Sequence, residues 1–178
     1  MNFRTSALAL IALGLAAGCQ SAPTRSDVFG LSALQLNQTL TIPAGAATVR
    51  LQNGQTIATN AVQEFDPYCV FELETVSEAP QSVQPGRFTI TSIERRVQDF
   101  SGMPVVPNAG VLGPYGDDGP SQVYYVTLFH LKSDADRRVR SLRCESNQVS
   151  IPGPSQRYLS LHEMQGAVGD YFSFELPR

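Results

Sequence analysis

Most of the sequence beyond residue 33 consists of short runs in which apolar and polar residues alternate. Gly, Pro or Asn-Gly separates one run from the next. Because successive side chains of a β-strand point to opposite faces of a sheet, each run predicts a strand with one buried face. In residues 48–52, Val49 and Leu51 alternate with polar side chains, and the Asn53-Gly54 pair that follows is typical of a tight β-hairpin turn. We therefore expect an all-β fold, mainly an antiparallel sandwich or small barrel of roughly seven or eight strands.

Two longer runs indicate where their strands lie in the sheet. Residues 122–132, QVYYVTLFHLK, are apolar on both parities, which is typical of a strand that is covered on both sides. In residues 87–98 the apolar positions change phase after Ile90, and this change predicts a β-bulge near Thr91–Ser92. We expect the first of these strands to be central and the second to be irregular.

The C-terminal part of the chain predicts the only helix of the fold. Residues 158–168 fit one short helix in which Ser160 is the N-cap and Glu163, three positions later, completes a capping box. Gly166 and Gly169 predict the end of this helix. Residues 170–176, DYFSFEL, alternate again and predict a closing strand.

The first nineteen residues differ from the rest of the chain. Arg4 is the only charged residue among them, and residues 7–18 are all apolar or small. This run is shorter than the roughly 20 apolar residues that cross a bilayer, and it has the layout of an export signal. The segment ends in LAAGC, residues 15–19, which resembles the lipobox of bacterial lipoproteins, with Ala16 where that motif usually has Leu.

The resemblance implies that residues 1–18 are removed as a signal peptide and that Cys19 becomes a lipidated N-terminus carrying acyl chains such as palmitate. Two or more acyl chains anchor a protein stably to a membrane. Gln20 after the Cys favours the outer membrane, with the protein facing the periplasm. We expect residues 19–33 to be the lipidated tether and residues 34–178 to be a single β-rich domain. The alternative is an ordinary export signal cleaved after an A-x-A-like stretch.

Lipidation of Cys19 leaves one pair of cysteines, Cys69 and Cys144, in the rest of the chain. The bacterial periplasm is oxidising, and both residues fall on the apolar parity of their expected strands. The resemblance therefore implies a Cys69–Cys144 disulfide. Two buried free thiols are the alternative, and a catalytic thiol has no CxxC motif to support it.

The charge balance bears on the partners of the protein. The chain has 13 Lys+Arg against 16 Asp+Glu, a net charge of −3. Because nucleic-acid binding needs a basic patch, we expect no nucleic-acid partner. Two small basic clusters, Arg95-Arg96 and Arg137-Arg138 with Arg140, are interpreted as solvated strand edges. Anionic lipid headgroups or glycan phosphates are the alternative partners of these clusters.

Residues 101–121 form a segment with five Gly and four Pro. A loop of this length is usually functional or disordered, and its candidate interaction residues are Tyr115, Asp117 and Asp118. The adjacent carboxylates lack the spacing of a calcium loop, and no zinc-type His pair is present in the sequence. We expect no metal and no cofactor.

His130, in the expected central strand, is the candidate residue for a site with chemistry, although a core or edge histidine with both nitrogens satisfied is the more ordinary interpretation. Glu72 and Glu74 are interpreted as solvated acids rather than a glycosidase pair. No G-x-S-x-G or S-x-x-K motif is present, so no catalytic residue is assigned.

Together these patterns predict a non-enzymatic, lipid-anchored envelope protein. Its periplasmic β domain is expected to bind a partner protein or to support envelope assembly. The alternative is a small envelope hydrolase or ligand-binding protein with a site near His130.

Overall fold

The computed structural model describes residues 28–99, 122–149 and 157–177. Within these ranges the chain forms strands β1 (Ala33–Leu36), β2 (Leu40–Ile42), β3 (Ala46–Gln52), β4 (Gln55–Ile57), β5 (Tyr68–Ser77), β6 (Gln81–Val83), β7 (Gly86–Asp99), β8 (Gln122–Lys132), β9 (Val139–Glu145), β10 (Asn147–Val149) and β11 (Phe172–Glu175). It also forms one helix, α1 (Leu161–Val168), and short 3₁₀ turns at Val28–Gly30, Thr59–Ala61 and Gly169–Tyr171. The predicted all-β class with one short helix near the C-terminus is confirmed.

Nine of these strands form one curled antiparallel sheet in the order β11-β1-β7-β8-β9-β5-β3-β4, with β10 paired to β8. Strands β2 and β6 form a separate two-stranded antiparallel sheet. Two groups of neighbouring strands, β3–β4–β5 and β7–β8–β9, lie side by side in the large sheet. They meet at the β5–β9 pair, which joins segments that are far apart in the sequence.

The sequence signals for individual strands agree with this sheet. Strand β8 covers the predicted residues and lies in the interior, between β7 and β9. The register of β7 against β8 shifts between Ile90 and Ser92, where the bulge was predicted. Strands β3 and β4 form the predicted hairpin, and Asn53 (φ 52°) and Gly54 (φ 73°) have the two positive φ angles that a type I′ turn needs.

The interpretation of the basic clusters as strand edges is wrong for Arg95, Arg96 and Arg140, because β7 and β9 are both interior strands, while Arg137 and Arg138 lie in the turn before β9. Arg95 and Arg96 point to opposite faces of β7. The Arg95 guanidinium lies 5.2 Å from the ring centroid of Phe29 and 4.8 Å from that of Tyr158, so it is held between two aromatic rings. Arg140 pairs across strands instead of facing open solvent at an edge.

One face of the large sheet packs with α1 around the apolar core. At its centre are Phe71, Phe88 and Phe172, with ring centroids 5.5–6.4 Å apart. Helix α1 contacts β3, β5 and β11 and buries one side chain stripe at helical spacing. That stripe consists of Met164, Ala167 and Val168. The helix therefore closes the core over the curled sheet.

The core also includes residues from the segment that was expected to be a tether. Val28 and Ala33 are fully buried, and Leu31 is 6% exposed. The backbone of Ser32 is paired as well, since its N–H donates to the Glu175 carbonyl at 2.9 Å. The folded part of the chain therefore extends back at least to Val28, the first residue described.

Cys69 and Cys144 lie opposite each other on β5 and β9 and are joined by a disulfide, as predicted. Both are fully buried on the core face of the sheet. The bond spans a sequence separation of 75 residues. For a loop of that length the chain-entropy model gives a stabilisation of up to about 4.5 kcal/mol. The disulfide thus links the two groups of strands at the pair where they meet.

Helix α1 begins with the predicted capping box. The Ser160 hydroxyl accepts the Glu163 N–H at 3.3 Å, and a Glu163 carboxylate oxygen accepts the Ser160 N–H at 2.8 Å. Arg157 donates to both carboxylate oxygens of Glu163 at 2.7 Å. These hydrogen bonds, with those from Arg157 the strongest, outweigh desolvation and lower the pKa of Glu163 to about 2. The cap is therefore ionised at neutral pH, where a carboxylate favours a helix N-terminus.

Gly169 ends α1 against the tip of the β3–β4 hairpin. Its backbone has φ 54° and ψ −136°, a conformation that is open to Gly and strained for other residues. The Gly54 N–H donates to the Ala167 carbonyl at 3.1 Å, which draws the two segments together. A Cβ atom on Gly169 would overlap the Cα of Gly54.

We expect Gly169→Ala to lower the free energy of unfolding by about 2–4 kcal/mol, because backbone strain and the overlap with Gly54 add. Gly166→Ala is the matched control, since it lies in the same helix and its added Cβ would have no atom within 4 Å. That substitution should raise the free energy of unfolding by up to about 1 kcal/mol. Urea unfolding followed by circular dichroism measures both, and equal effects would contradict the packing described.

Candidate functional site

The face of the large sheet opposite the core carries a shallow groove of about 430 Å³, here called the outer-face groove. Strands β3, β5, β7, β8 and β9 supply its residues. These are Thr48, Val70, Glu72, Glu94, Arg96, Leu128, His130, Arg140, Ser141 and Arg143. The groove therefore lies over the interior of the sheet, where neighbouring strands hold every position.

The strand register places these side chains in rows. His130 on β8 lies opposite Ser141 on β9, which lies opposite Glu72 on β5. In the next row, Arg143 on β9 lies between Leu128 and Val70 of the neighbouring strands. Side chains that are directly opposite on one face have Cβ atoms about 4.5–5.5 Å apart. Polar groups from three separate segments are thereby held at contact distance.

Both carboxylates in the groove already have partners. Glu72 accepts a hydrogen bond from Arg140 Nη1 at 3.2 Å and another from the Ser141 hydroxyl at 2.9 Å. Glu94 Oε2 lies 3.6 Å from His130 Nε2, with the side chains 52% and 42% exposed. An ion pair this exposed contributes little to stability, so His130 and Glu94 are available to other groups.

The cations in the groove outnumber the carboxylates. Arg96 is exposed and has no hydrogen bond or ion pair with any described residue. Arg143 Nη2 lies 3.2 Å from Glu145 Oε1, while its Nε is buried without an acceptor in the described part of the chain. With Arg140, the lining holds three guanidinium groups and two carboxylates, and Glu145, the partner of Arg143, supplies a third carboxylate beside the lining.

Beside the groove lies a buried polar cluster centred on Glu145. Glu145 is 4% exposed and accepts a hydrogen bond from the Tyr68 hydroxyl at 2.7 Å. Burial, and then the charge of Glu145, raise the pKa of Tyr68 far above its usual range. Burial and a hydrogen bond to Glu64 at 2.8 Å raise the pKa of Tyr124 to about 12. Both hydroxyls therefore remain protonated donors at neutral pH.

His130 is the sequence candidate that the structure places in the groove. Glu72 is only partly solvated, because it also holds Arg140 and Ser141. The remaining candidates, Cys19 for lipidation and Tyr115, Asp117 and Asp118 for interaction, lie outside the described residues.

Two charged residues of this region, Arg143 and Glu145, carry no motif in the sequence. Their signal is their alternation with Leu142 and Cys144, which places them on the outward face of β9. Outward charges on a strand are usually solvated, so alternation alone does not predict a buried carboxylate. The hydroxyl that binds Glu145 comes from Tyr68, 77 positions away in the sequence.

The groove offers hydrogen-bond donors, acceptors and charge for binding. Ser141 is 2% exposed, and its hydroxyl donates to Glu72. A serine nucleophile needs a base that accepts its proton, and this hydrogen bond ties the hydroxyl to a carboxylate already occupied by Arg140. Among the described residues there is no group of three His, Cys, Asp or Glu side chains placed to hold a metal ion.

No protein-family model, curated protein or solved structure matches this chain. The function is therefore inferred from its own residues. Within the described ranges, no helix has both the length and the apolar character needed to cross a bilayer.

We expect Tyr68→Phe to lower the free energy of unfolding by about 1–3 kcal/mol, because the buried Glu145 carboxylate would lose a donor. Tyr171→Phe is the control, since the Tyr171 hydroxyl has no hydrogen bond with the described residues. That change should stay within about 0.5 kcal/mol. Chemical denaturation of the two variants and the parent measures the difference, and a neutral Tyr68→Phe would contradict the role assigned to this hydrogen bond.

Proposed function

We propose that this protein is a lipid-anchored component of the bacterial cell envelope, held through Cys19 at the periplasmic face of the outer membrane. Its β domain would bind a partner molecule without converting it chemically. The observation that carries the proposal is the buried Cys69–Cys144 disulfide. Disulfides persist in oxidising compartments such as the periplasm and are rare in cytosolic proteins.

The disulfide also supports the anchor. Because Cys69 and Cys144 are bonded to each other, Cys19 is the remaining one of the three cysteines, and it ends the lipobox-like LAAGC. Val28, the first core residue, comes nine positions later. Such a stretch spans at most about 30 Å when fully extended. A domain on this tether would stay near the bilayer surface and meet partners located there.

The outer-face groove is the binding surface that we propose for the domain. Its volume of about 430 Å³ falls in the range of roughly 300–1,000 Å³ that is usual for ligand sites. Its polar residues lie on interior strands, which position side chains more rigidly than loops do. Residues 101–121, with Tyr115, Asp117 and Asp118, remain a predicted second contact surface.

Hydrolysis at His130 is the second candidate function. One observation favours it: His130 lies opposite Ser141 and 3.6 Å from Glu94, and a serine, a histidine and an acid are the residue types of a hydrolase triad. The hydrogen bond from the Ser141 hydroxyl to Glu72 favours the binding function instead, because the hydroxyl proton is donated to Glu72 and not to His130.

We expect Cys19→Ser to move the protein from the membrane fraction to the soluble fraction of the envelope, because a serine cannot form the thioether that carries the lipid. Ser21→Ala is the control and should leave the protein in the membrane fraction. Fractionation with immunoblotting measures the distribution. Mass spectrometry of the N-terminal peptide should show acyl chains on Cys19. Unchanged fractionation of Cys19→Ser, or an unmodified peptide, would contradict the anchor.

The two candidate functions differ in what His130→Ala does to turnover. Under the binding proposal, the wild-type protein and His130→Ala give the same background rate with chromogenic ester and glycoside substrates. Under the hydrolase alternative, the wild type turns over one of them and His130→Ala lowers kcat by at least about 100-fold, as expected for the loss of a general base. The second result would replace the binding proposal.

A further inference from the structure

We propose that the outer-face groove binds a small organic molecule through its oxyanion group, a carboxylate or a phosphate, with Arg96 as the principal contact. This inference rests on the proposed function, because it assigns a ligand class to the same binding surface. It is based on a cation without a partner in the part of the chain that the structure describes, on the acidic charge of the whole chain and on the shape of the groove.

Arg96 is the cation of the groove that has no partner within the described residues. The other two guanidinium groups are engaged, Arg140 with Glu72 and Arg143 with Glu145, each at 3.2 Å. Arginine presents a planar fork of N–H donors that matches the two oxygens of a carboxylate or phosphate. Arg96 can therefore receive an oxyanion without breaking an existing pair.

The charges around Arg96 favour an anion of limited size. Arg140 is balanced by Glu72 and Arg143 by Glu145, which leaves Arg96 and Glu94, whose Oε2 lies 3.6 Å from His130 Nε2. The whole chain carries a net charge of −3. A single guanidinium without a partner among the described residues, on an acidic protein, favours a small anion over a long polyanion, which would meet repulsion beyond the groove.

The shape of the groove indicates what the rest of the ligand looks like. Its lining includes two apolar side chains on either side of Arg143, namely Val70, which is 5% exposed, and Leu128, which is partly buried. Glu72 and Glu94 at the rim can accept hydrogen bonds from ligand hydroxyl groups. A molecule with an apolar face, hydroxyl groups and one anionic group could contact the apolar side chains, the glutamates and Arg96 at the same time. Sugar acids and sugar phosphates have this combination.

The test uses three probes with the same sugar ring, namely glucuronate, glucose 6-phosphate and uncharged glucose. Each is titrated by calorimetry, at constant ionic strength, into the full mature protein purified in a neutral detergent. We expect at least one of the two anions to bind. Glucose should bind at least about tenfold more weakly than that anion, because it cannot form the charge-assisted hydrogen bonds with Arg96. Whichever anion binds more tightly identifies the carboxylate or the phosphate as the group recognised.

Substitutions then test whether Arg96 makes the contact. Arg96→Gln should weaken anion binding by at least about tenfold, and Arg96→Lys, which keeps the charge without the fork, by less. Arg137→Gln is the matched control, because it removes the same charge from the β8–β9 turn outside the groove, and should change binding less than about twofold. Since Arg96 has no partner within residues 28–99, 122–149 and 157–177, its replacement should leave the thermal stability unchanged.

Three results would overturn the assignment. They are no binding of either anion at millimolar concentration, equal binding of glucose, and equal losses for Arg96→Gln and Arg137→Gln. Any of them would remove the oxyanion ligand while leaving membrane fractionation of the protein unaffected. Failure of the anchor would show instead in the Cys19→Ser fractionation, so the two failures are distinguishable.

Discussion

The pairing of β5 with β9 is the interaction on which the rest of the structure depends. It joins the β3–β4–β5 group to the β7–β8–β9 group, in which β3 pairs with β4, β7 with β8 and β8 with β9 as consecutive strands. Such a non-local pair is entropically expensive to form, because the chain between the two strands must close into a loop. The Cys69–Cys144 disulfide lies within this pair and removes much of that cost by restricting the unfolded chain.

The same strand pair has a different role on each face. On the inner face, the disulfide lies beside Phe71 and the core that α1 closes. On the outer face, Glu72 of β5 holds Arg140 and Ser141 of β9, and this network forms part of the outer-face groove. Because alternate residues of one strand serve the two faces, stabilising the core also fixes the geometry of the polar groove.

Signals confined to a few neighbouring residues predicted the local structure well. The Asn53-Gly54 turn, the irregularity after Ile90 and the capping box of Ser160 and Glu163 each depend on backbone or side-chain chemistry within one short segment. The burial of Val28 was not anticipated, because a few apolar residues among Ser, Thr and Pro have no periodicity. The assembled sheet gives that segment its place, since the Ser32 N–H donates to the Glu175 carbonyl of β11 and the Ser32 carbonyl accepts the Ile90 N–H of β7.

The residues of the candidate site were only partly predictable, for a related reason. His130 was identified from its position on a strand rich in apolar residues. Arg96 was assigned to a solvated edge, and Glu145 had no motif at all. What a charged side chain can do depends on its neighbours, and the neighbours of these residues come from other strands.

The sequence by itself determined the strands, the faces of their side chains, the turn and cap chemistry, and a pair of cysteines on apolar faces. These follow from the two-residue period of a strand and from local backbone preferences. The tertiary structure decided which strands are interior, which charges pair, and that Arg96 lies over a groove without a partner among the described residues. Register between distant strands decides these features, and it depends on the packing of the whole core rather than on any single segment.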